Sequence, residues 1–197
     1  MEDIVYNRIV FGNGDLANEL ISFANFTEKH TRFISKEDFD SFDFSTIPQE
    51  SQIFIAYSDP VLKKKAEEIL ISNHLQPSSF IHESCIIGRK VKIGNGVIIF
   101  PNTIISNNTT IEDFVFINCS CNVGHHCELG KYSSLMSNTC ISGHCVIGES
   151  NYFSTSAILI PGIETPENTR LGVGSVLMKS PKISNGSYHG NPARKIL

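Results

Sequence analysis

The sequence predicts a parallel solenoid of stacked six-residue segments preceded by a small α/β unit, and two positional patterns carry that prediction. From residue 81 to residue 177 every sixth residue is aliphatic or aromatic, with Thr165 as the one exception among seventeen positions. A period of six fits neither a helix nor a single strand, but it fits a prism in which each segment supplies one short strand and a corner. Because one coil cannot bury its own apolar face, the coils must stack.

The second pattern lies four residues after each of those positions, where small or β-branched residues dominate. We expect them to point into the tight interior of the prism. Glycine often follows the aliphatic residue directly, where we expect a corner with positive φ. Those glycines are Gly88, Gly94, Gly124, Gly130, Gly148 and Gly172.

The composition limits the partners and the cellular location that we expect for this chain. The 197 residues carry a net charge of −4, which gives no support for a nucleic-acid or anionic-membrane partner. The chain opens with acidic residues and has no apolar run that could span a bilayer, so we expect a cytoplasmic protein.

Four of the six cysteines occupy the small inward position, which predicts reduced, buried thiols rather than disulfides or a zinc clamp. These four are Cys85, Cys121, Cys127 and Cys145.

Residues 1–79 lack the six-residue period and are predicted as an α/β domain. A strand at residues 8–11 is followed by Gly12-Asn13-Gly14 and by a helix at residues 15–24. This geometry offers backbone N–H groups to a phosphate, although a plain tight turn explains it equally well. Further strands are predicted at residues 33–34 and 52–57, and no firm element at residues 35–51.

A second helix is predicted at residues 61–73, with Pro60 in its first turn. It carries the run Lys63, Lys64 and Lys65. We expect these lysines to form a solvated face rather than a phosphate clamp. The solenoid is predicted at residues 80–180, and residues 181–197 form a tail.

The segment Asn122-Val123-Gly124-His125-His126-Cys127 is the most reactive part of the predicted solenoid. Three hexads make one turn, so residues eighteen apart lie on successive coils about 4.8 Å apart. This arithmetic places His126 against His144 and sets Gly143 beside His125. A histidine base next to a glycine N–H that can hold an oxyanion suits acyl transfer.

Two other interpretations of the histidines stay open. They can pack in an interface between subunits, or they can bind zinc. The column arithmetic gives no third ligand a defined place, so the sequence predicts no metal here.

The chain resembles the bacterial sugar acetyltransferases, which include sialic acid O-acetyltransferases and N-acetyltransferases of nucleotide-linked aminosugars. The resemblance covers the opening strand–GxG–helix, QIFIAYSDPVLKKKAEEIL at 52–70, and the Phe80-Ile81-His82 entry to the coils. It continues through the histidine pair to GVGSVLMK at 172–179 and GNPAR at 190–194. It implies a left-handed parallel β-helix that acts as a homotrimer with active sites between subunits, and a Rossmann-like domain that binds a nucleotide-activated aminosugar.

The resemblance also implies roles for individual residues. His125 matches the general base, His126 the residue that supports it, and Gly143 the donor to the thioester carbonyl. Acetyl-CoA, the expected co-substrate, is expected near Ser134, Gly143, Thr155 and Val173. The nucleotide sugar is expected near Gly12, Asn13, Gly14, Ser35, Lys36 and Ser58.

The sequence departs from the family pattern at three places. His126 stands where the family usually has Asp or Glu, Ser134 where it often has His, and Ser35-Lys36 where acidic residues are common. The leading prediction is acetyl transfer to the amino group of a nucleotide-linked aminosugar by direct attack. The alternatives are O-acetylation of a sugar such as sialic acid, a non-catalytic trimeric scaffold that binds nucleotide sugars, and a metal-dependent hydratase.

Overall fold

The computed structural model describes residues 6–196; residues 1–5 of the predicted first domain and residue 197 of the predicted tail lie outside this range. The chain forms an α/β unit of three parallel strands in the order β2-β1-β3, followed by a solenoid. Within the α/β unit the elements are β1 Arg8–Phe11, α1 Asp15–Phe23, β2 Thr31–Ile34, β3 Gln52–Ile55 and α2 Pro60–Ser72, with 3-10 helices at Glu28–His30, Lys36–Asp38 and Phe44–Thr46.

Local capping explains where these elements begin. The Asp59 carboxylate accepts a hydrogen bond from the Val61 N–H at 2.9 Å, and Pro60 occupies the first turn, so α2 begins one residue earlier than predicted. Ser35 and Asp38 form a reciprocal capping box that holds a 3-10 turn in the stretch for which the sequence predicted no firm element.

The solenoid is a left-handed parallel β-helix of about six turns. Its two-residue strands form three faces, and strands eighteen residues apart pair in parallel. The first face holds β4 Phe80–Ile81, β7 Ile98–Ile99, β10 Phe116–Ile117, β13 Ser134–Leu135, β16 Tyr152–Phe153 and β19 Arg170–Leu171. The second holds β5 Ile86–Ile87, β8 Ile104–Ile105, β11 Asn122–Val123, β14 Cys140–Ile141, β17 Ile158–Leu159 and β20 Val176–Leu177. The third holds β6 Lys92–Ile93, β9 Thr110–Ile111, β12 Glu128–Leu129, β15 Val146–Ile147 and β18 Glu164–Thr165.

The interior of the prism confirms the six-residue register. The aliphatic series is buried from Ile99 onward, and Cys121, Cys127 and Cys145 are fully buried among it as free thiols. The polar exception, Thr165, accepts a hydrogen bond from the buried Asn151 amide at 2.9 Å, so the two inward polar residues satisfy each other.

The two ends of the prism differ. Ile81 and Ile87 on the first coil are partly exposed because no coil lies beneath them. The far end is closed by β21 Ser187–His189 and β22 Arg194–Lys195.

The predicted reason for the corner glycines was wrong. From residue 87 to residue 171, positive φ falls three residues after each position of the series, as at His126 (φ 57) and His144 (φ 60), and not at the glycines that follow it directly. Those glycines are required by close approach between coils instead: a Cβ on Gly124 would lie 2.4 Å from the Gly143 nitrogen.

The α/β unit docks on the first face, and Lys63 is at the centre of the contact. Lys63 is fully buried, contrary to the predicted solvated face, whereas Lys64 is half-buried and Lys65 is exposed. Its ammonium donates to the carbonyls of Phe114 (3.1 Å) and Tyr132 (2.9 Å). It also reaches the Ser133 carbonyl (3.1 Å) and the Ser134 hydroxyl (2.6 Å). Burial holds the pKa of Lys63 well below its ordinary value.

Among residues 6–196, no helix combines the length and the apolarity needed to cross a membrane.

Candidate active site

Three histidines meet at the vertex between the second and third faces, which we call the histidine vertex. His125 and His126 follow β11, and His144 follows β14 on the next coil. One ring nitrogen from each residue lies within 4.8 Å of the others. The rings of His126 and His144 stack with centroids 5.0 Å apart and planes inclined by 10°, which confirms the predicted column.

A line of hydrogen bonds runs along this vertex to His125. The His125 Nδ1 lies 3.0 Å from the His126 Nδ1, and the His126 Nε2 lies 3.2 Å from the Asn108 Nδ2. If His125 carries its proton on Nδ1 and donates it to His126, His126 carries its own proton on Nε2. Because Nδ2 is a donor, the Asn108 amide accepts that proton when it is flipped, with its oxygen in the place of Nδ2. His125 is then left with a free Nε2 lone pair.

Gly143 lies directly beside the His125 ring, as the column arithmetic predicted. A Cβ at Gly143 would lie 2.9 Å from His125 Cε1 and 3.0 Å from Nε2. Any other residue at position 143 would therefore displace the imidazole ring. Lower in the same column, the Arg89 N–H donates to the side chain eighteen residues later, that of Asn107, at 2.7 Å. The residue eighteen positions after Gly143 is Pro161, whose side chain has no acceptor. Within the described residues the Gly143 N–H is therefore unpaired.

The structure does not bring all the predicted cofactor residues to this vertex. Thr155 and Val173 are exposed, but they lie at the vertex between the first and second faces, with the whole second face between them and His125. Ser134 is fully buried, and its hydroxyl donates to the Ser58 carbonyl at 2.7 Å and accepts from Lys63. Ser134 therefore joins the two units, and its burial argues against direct contact with a cofactor.

The predicted nucleotide residues surround a separate cavity of about 300 Å³ at the carboxyl end of the three-stranded sheet. Asn13, Gly14, Lys36 and Ser58 line it. Burial, together with the charges of nearby acidic residues, raises the pKa of the neighbouring Tyr57 to about 12.

Gly12 and Ser35 contribute to this cavity indirectly. Gly12 has φ 126, and a Cβ there would lie 2.8 Å from the Ala56 oxygen, so it shapes the turn beneath the cavity. The Ser35 hydroxyl is bonded to Asp38 in the capping box.

Sequence reasoning assigned no functional role to Asn108, expected His144 only as the stacking partner of His126, and expected Lys63 to be solvated. The eighteen-residue columns already contained Asn108 and His144 beside His126, so that signal was available. The acceptors of Lys63 are mostly backbone carbonyls, for which a sequence carries no mark.

The left-handed β-helix and the docked α/β unit together define an architecture that is present in solved sugar acetyltransferase structures. No protein-family model matches the sequence. PerB from Caulobacter crescentus, in complex with CoA and GDP-perosamine, has 21% identity and a TM-score of 0.84 over 96% of each chain.

Two further structures have the same architecture. The acetyltransferase domain of PglB from Neisseria gonorrhoeae, in complex with acetyl coenzyme A, has 18% identity and a TM-score of 0.84 over 98% of this chain and 100% of that one. WeeI from Acinetobacter baumannii AYE has 22% identity and a TM-score of 0.67 over 96% of this chain and 99% of that one. At these identities the similarity establishes the fold.

Proposed function

We propose that this protein transfers the acetyl group of acetyl-CoA to the amino group of a nucleotide-linked aminosugar, with His125 as general base. The observation that carries the proposal is the placement of the His125 ring against Gly143, whose N–H has no acceptor among the described residues. A base and an unpaired donor side by side are the two groups that acyl transfer needs.

The steps follow from the tautomer in which His125 carries its proton on Nδ1. With its Nδ1 proton donated to His126, His125 uses Nε2 to take a proton from the attacking amine as the amine nitrogen bonds to the thioester carbonyl carbon. The Gly143 N–H stabilises the resulting oxyanion. Collapse of the tetrahedral intermediate breaks the carbon–sulfur bond, and the CoA thiolate takes the proton back from His125.

His126 orients the base without adding charge. A carboxylate at this position would attract the developing imidazolium, whereas an imidazole partner only fixes its tautomer and direction. The Asn108 amide behind His126 supports the same arrangement. We therefore propose that the line from Asn108 through His126 replaces the acidic partner that the family usually has.

The ligands of the solved structures support the substrate class. PerB was crystallised with CoA and GDP-perosamine, and variants of it with one histidine replaced by Asn or Ala were crystallised with the same two ligands. The PglB domain was crystallised with acetyl coenzyme A. By analogy, we assign the cavity beside Gly14 and Lys36 to the nucleotide.

We further propose that the active enzyme is a homotrimer with sites between subunits. Within one chain, the histidine vertex is separated from Thr155 and Val173 by the second face. That face exposes an apolar stripe that includes Ile86, at 62% exposure. Burying this face against a second copy would let the vertex that carries Thr155 and Val173 approach the His125 of its neighbour.

The test is mass spectrometry of products after incubation with acetyl-CoA and a panel of GDP-, UDP- and dTDP-linked amino-hexoses plus sialic acid. We expect one acetyl group on an aminosugar, a loss of at least 100-fold in His125→Ala, and no change in His82→Ala, a half-buried solenoid histidine away from the vertex. Acetylation of sialic acid alone would identify an O-acetyltransferase. Absence of both product and acetyl-CoA binding would favour a non-catalytic scaffold. Light scattering measures whether the protein is a trimer.

A further inference from the structure

We propose that His125, His126 and His144 form a binding site for a divalent transition metal of the Zn²⁺ class, and that an occupied site cannot catalyse acetyl transfer. Metal binding is argued from the geometry of the three imidazoles alone. The exclusion of catalysis rests on the proposed function of His125.

The three rings supply the right atoms at nearly the right spacing. A tetrahedral zinc ion with nitrogen ligands at 2.0–2.1 Å holds those nitrogens about 3.4 Å apart. The Nδ1 atoms of His125 and His126 are already 3.0 Å apart, and the third imidazole has a ligand nitrogen within 4.8 Å of both. The sequence argument that no third ligand has a defined place followed single columns, whereas His125 reaches across from the neighbouring column.

The backbone fixes the three residues while their side chains stay adjustable. The His144 N–H donates to the His125 carbonyl at 2.9 Å, and the His126 N–H donates to the Asn107 carbonyl at 3.0 Å. These bonds hold adjacent coils in register. The stacked rings of His126 and His144 have to rotate about χ2 for their lone pairs to converge, and all three side chains are exposed, so the rotation meets no packed surface.

Asn108 provides the outer support that metal-binding histidines usually have. Its Nδ2 lies 3.2 Å from the His126 Nε2, and when the amide is flipped its oxygen accepts the Nε2 proton, which leaves the Nδ1 lone pair of His126 free for a metal. A hydrogen bond to the second nitrogen fixes the tautomer of a ligating imidazole, and loss of such a partner weakens metal binding by about 10- to 100-fold. Three imidazoles also leave a fourth position open to solvent.

A metal on His125 removes its function as a base. A neutral imidazole has one lone pair available, and the other nitrogen carries the proton. Coordination through either nitrogen of His125 therefore uses the lone pair that would accept the proton of the amine. Metal occupancy and acetyl transfer are mutually exclusive for this reason.

The test is calorimetric titration of the chelator-treated full chain with ZnCl₂. We expect one Zn²⁺ per chain, and at least 10-fold weaker binding in each of His126→Asn and His144→Asn. Asparagine suits both positions because Asn108 already adopts the same left-handed backbone in the same column, with φ 58. His82→Asn, which changes a half-buried histidine whose Nδ1 lies 2.8 Å from the Ser84 hydroxyl, is the control and should bind Zn²⁺ like the natural chain.

Co²⁺ in place of Zn²⁺ gives a second measurement, because its visible absorption reports nitrogen ligation and should be lost in the same two variants. No stoichiometric Zn²⁺ binding, or equal binding in His126→Asn, His144→Asn and the control, would overturn the site. The acetylation rate, measured with and without Zn²⁺, tests whether an occupied metal site prevents catalysis. Zn²⁺ should lower this rate at least 10-fold in the natural chain and by a smaller factor in His144→Asn. Zinc binding by a chain that acetylates nothing on the panel would leave the metal site standing and refute the proposed function instead.

Discussion

Replacement of Lys63 by methionine tests how the α/β unit is held on the solenoid. Methionine keeps an unbranched chain of similar length, so it fills the aliphatic part of the site and removes only the ammonium group. Among the described residues, Lys63 is the sole donor to the carbonyls of Phe114 and Tyr132. Ser133 keeps its bond from the Phe116 N–H.

The number of carbonyls left without a donor sets the size of the expected loss of stability. A buried acceptor left without a donor costs about 1–3 kcal/mol, so two orphaned carbonyls cost about 2–6 kcal/mol. Removing a desolvated ammonium offsets part of this, since its burial is unfavourable. We expect Lys63→Met to lower the free energy of unfolding by about 2 kcal/mol, which corresponds to a melting temperature about 4–8 °C lower for a chain of this length.

The neighbouring lysine provides a matched control. Lys64 lies one residue along the same helix and pairs with Glu149 at the surface, where such pairs contribute about 0–1 kcal/mol. Lys64→Met should therefore lower the melting temperature by no more than about 4 °C, and by less than Lys63→Met does, as measured by circular dichroism. Equal melting temperatures for the two variants would refute the reasoning that Lys63 stabilises the docked arrangement.

Three further predictions concern the histidine vertex and its supports. Cys127→Ala should keep the initial rate within about twofold, because its hydrogen bond with Cys145 and its burial raise the thiol pKa, so it cannot serve as a nucleophile. An acetylated Cys127 in a mass spectrum would contradict this. Gly124→Ala should lower the initial rate at least 10-fold, because its Cβ would meet the Gly143 nitrogen at 2.4 Å. An unchanged rate would show that the coil spacing is not critical. His126→Glu places a charge near His125 worth about 1 kcal/mol in water, so the acidic limb of the pH–rate profile should move upward by roughly 0.7 pH unit. A profile that stays in place would show that this position does not act on the base.

The sequence predicted the solenoid well because its information is local. Each coil depends on one inward aliphatic residue every six positions and one small residue four positions later, so both patterns are visible within a short window. The same arithmetic, extended to eighteen, placed His126 against His144 and Gly143 beside His125. It failed for the corner glycines because positive φ and close approach both select glycine, and spacing alone cannot separate the two causes.

The docking of the α/β unit was not predicted, although part of the signal was present. The outward positions of the first face begin with Phe80, Ile98 and Phe116, eighteen residues apart, and the last two are buried beneath the α/β unit. An apolar residue that points out of a solenoid needs a cover, so this column marks the covered face. The burial of Lys63 carries no such mark, since it depends on carbonyls more than fifty residues away.

The same argument applies to the second face and connects the fold to the proposed assembly. Four of its six outward positions are aliphatic, and the exposed Asn122 and the half-buried Cys140 lie between them; the four are Ile86, Ile104, Ile158 and Val176. In the part of the chain that the structure describes, no element lies over Ile104 or Ile158, and each remains 39% exposed. At the equivalent positions the third face has Lys92, Thr110, Glu128 and Glu164, and its one aliphatic residue there is Val146, which is 41% exposed. A chain that covers one apolar face with its own residues and leaves the second open is suited to cover the second with another copy of itself. Because that second face separates His125 from Thr155, the contact that would bury it is also the contact that would complete the site.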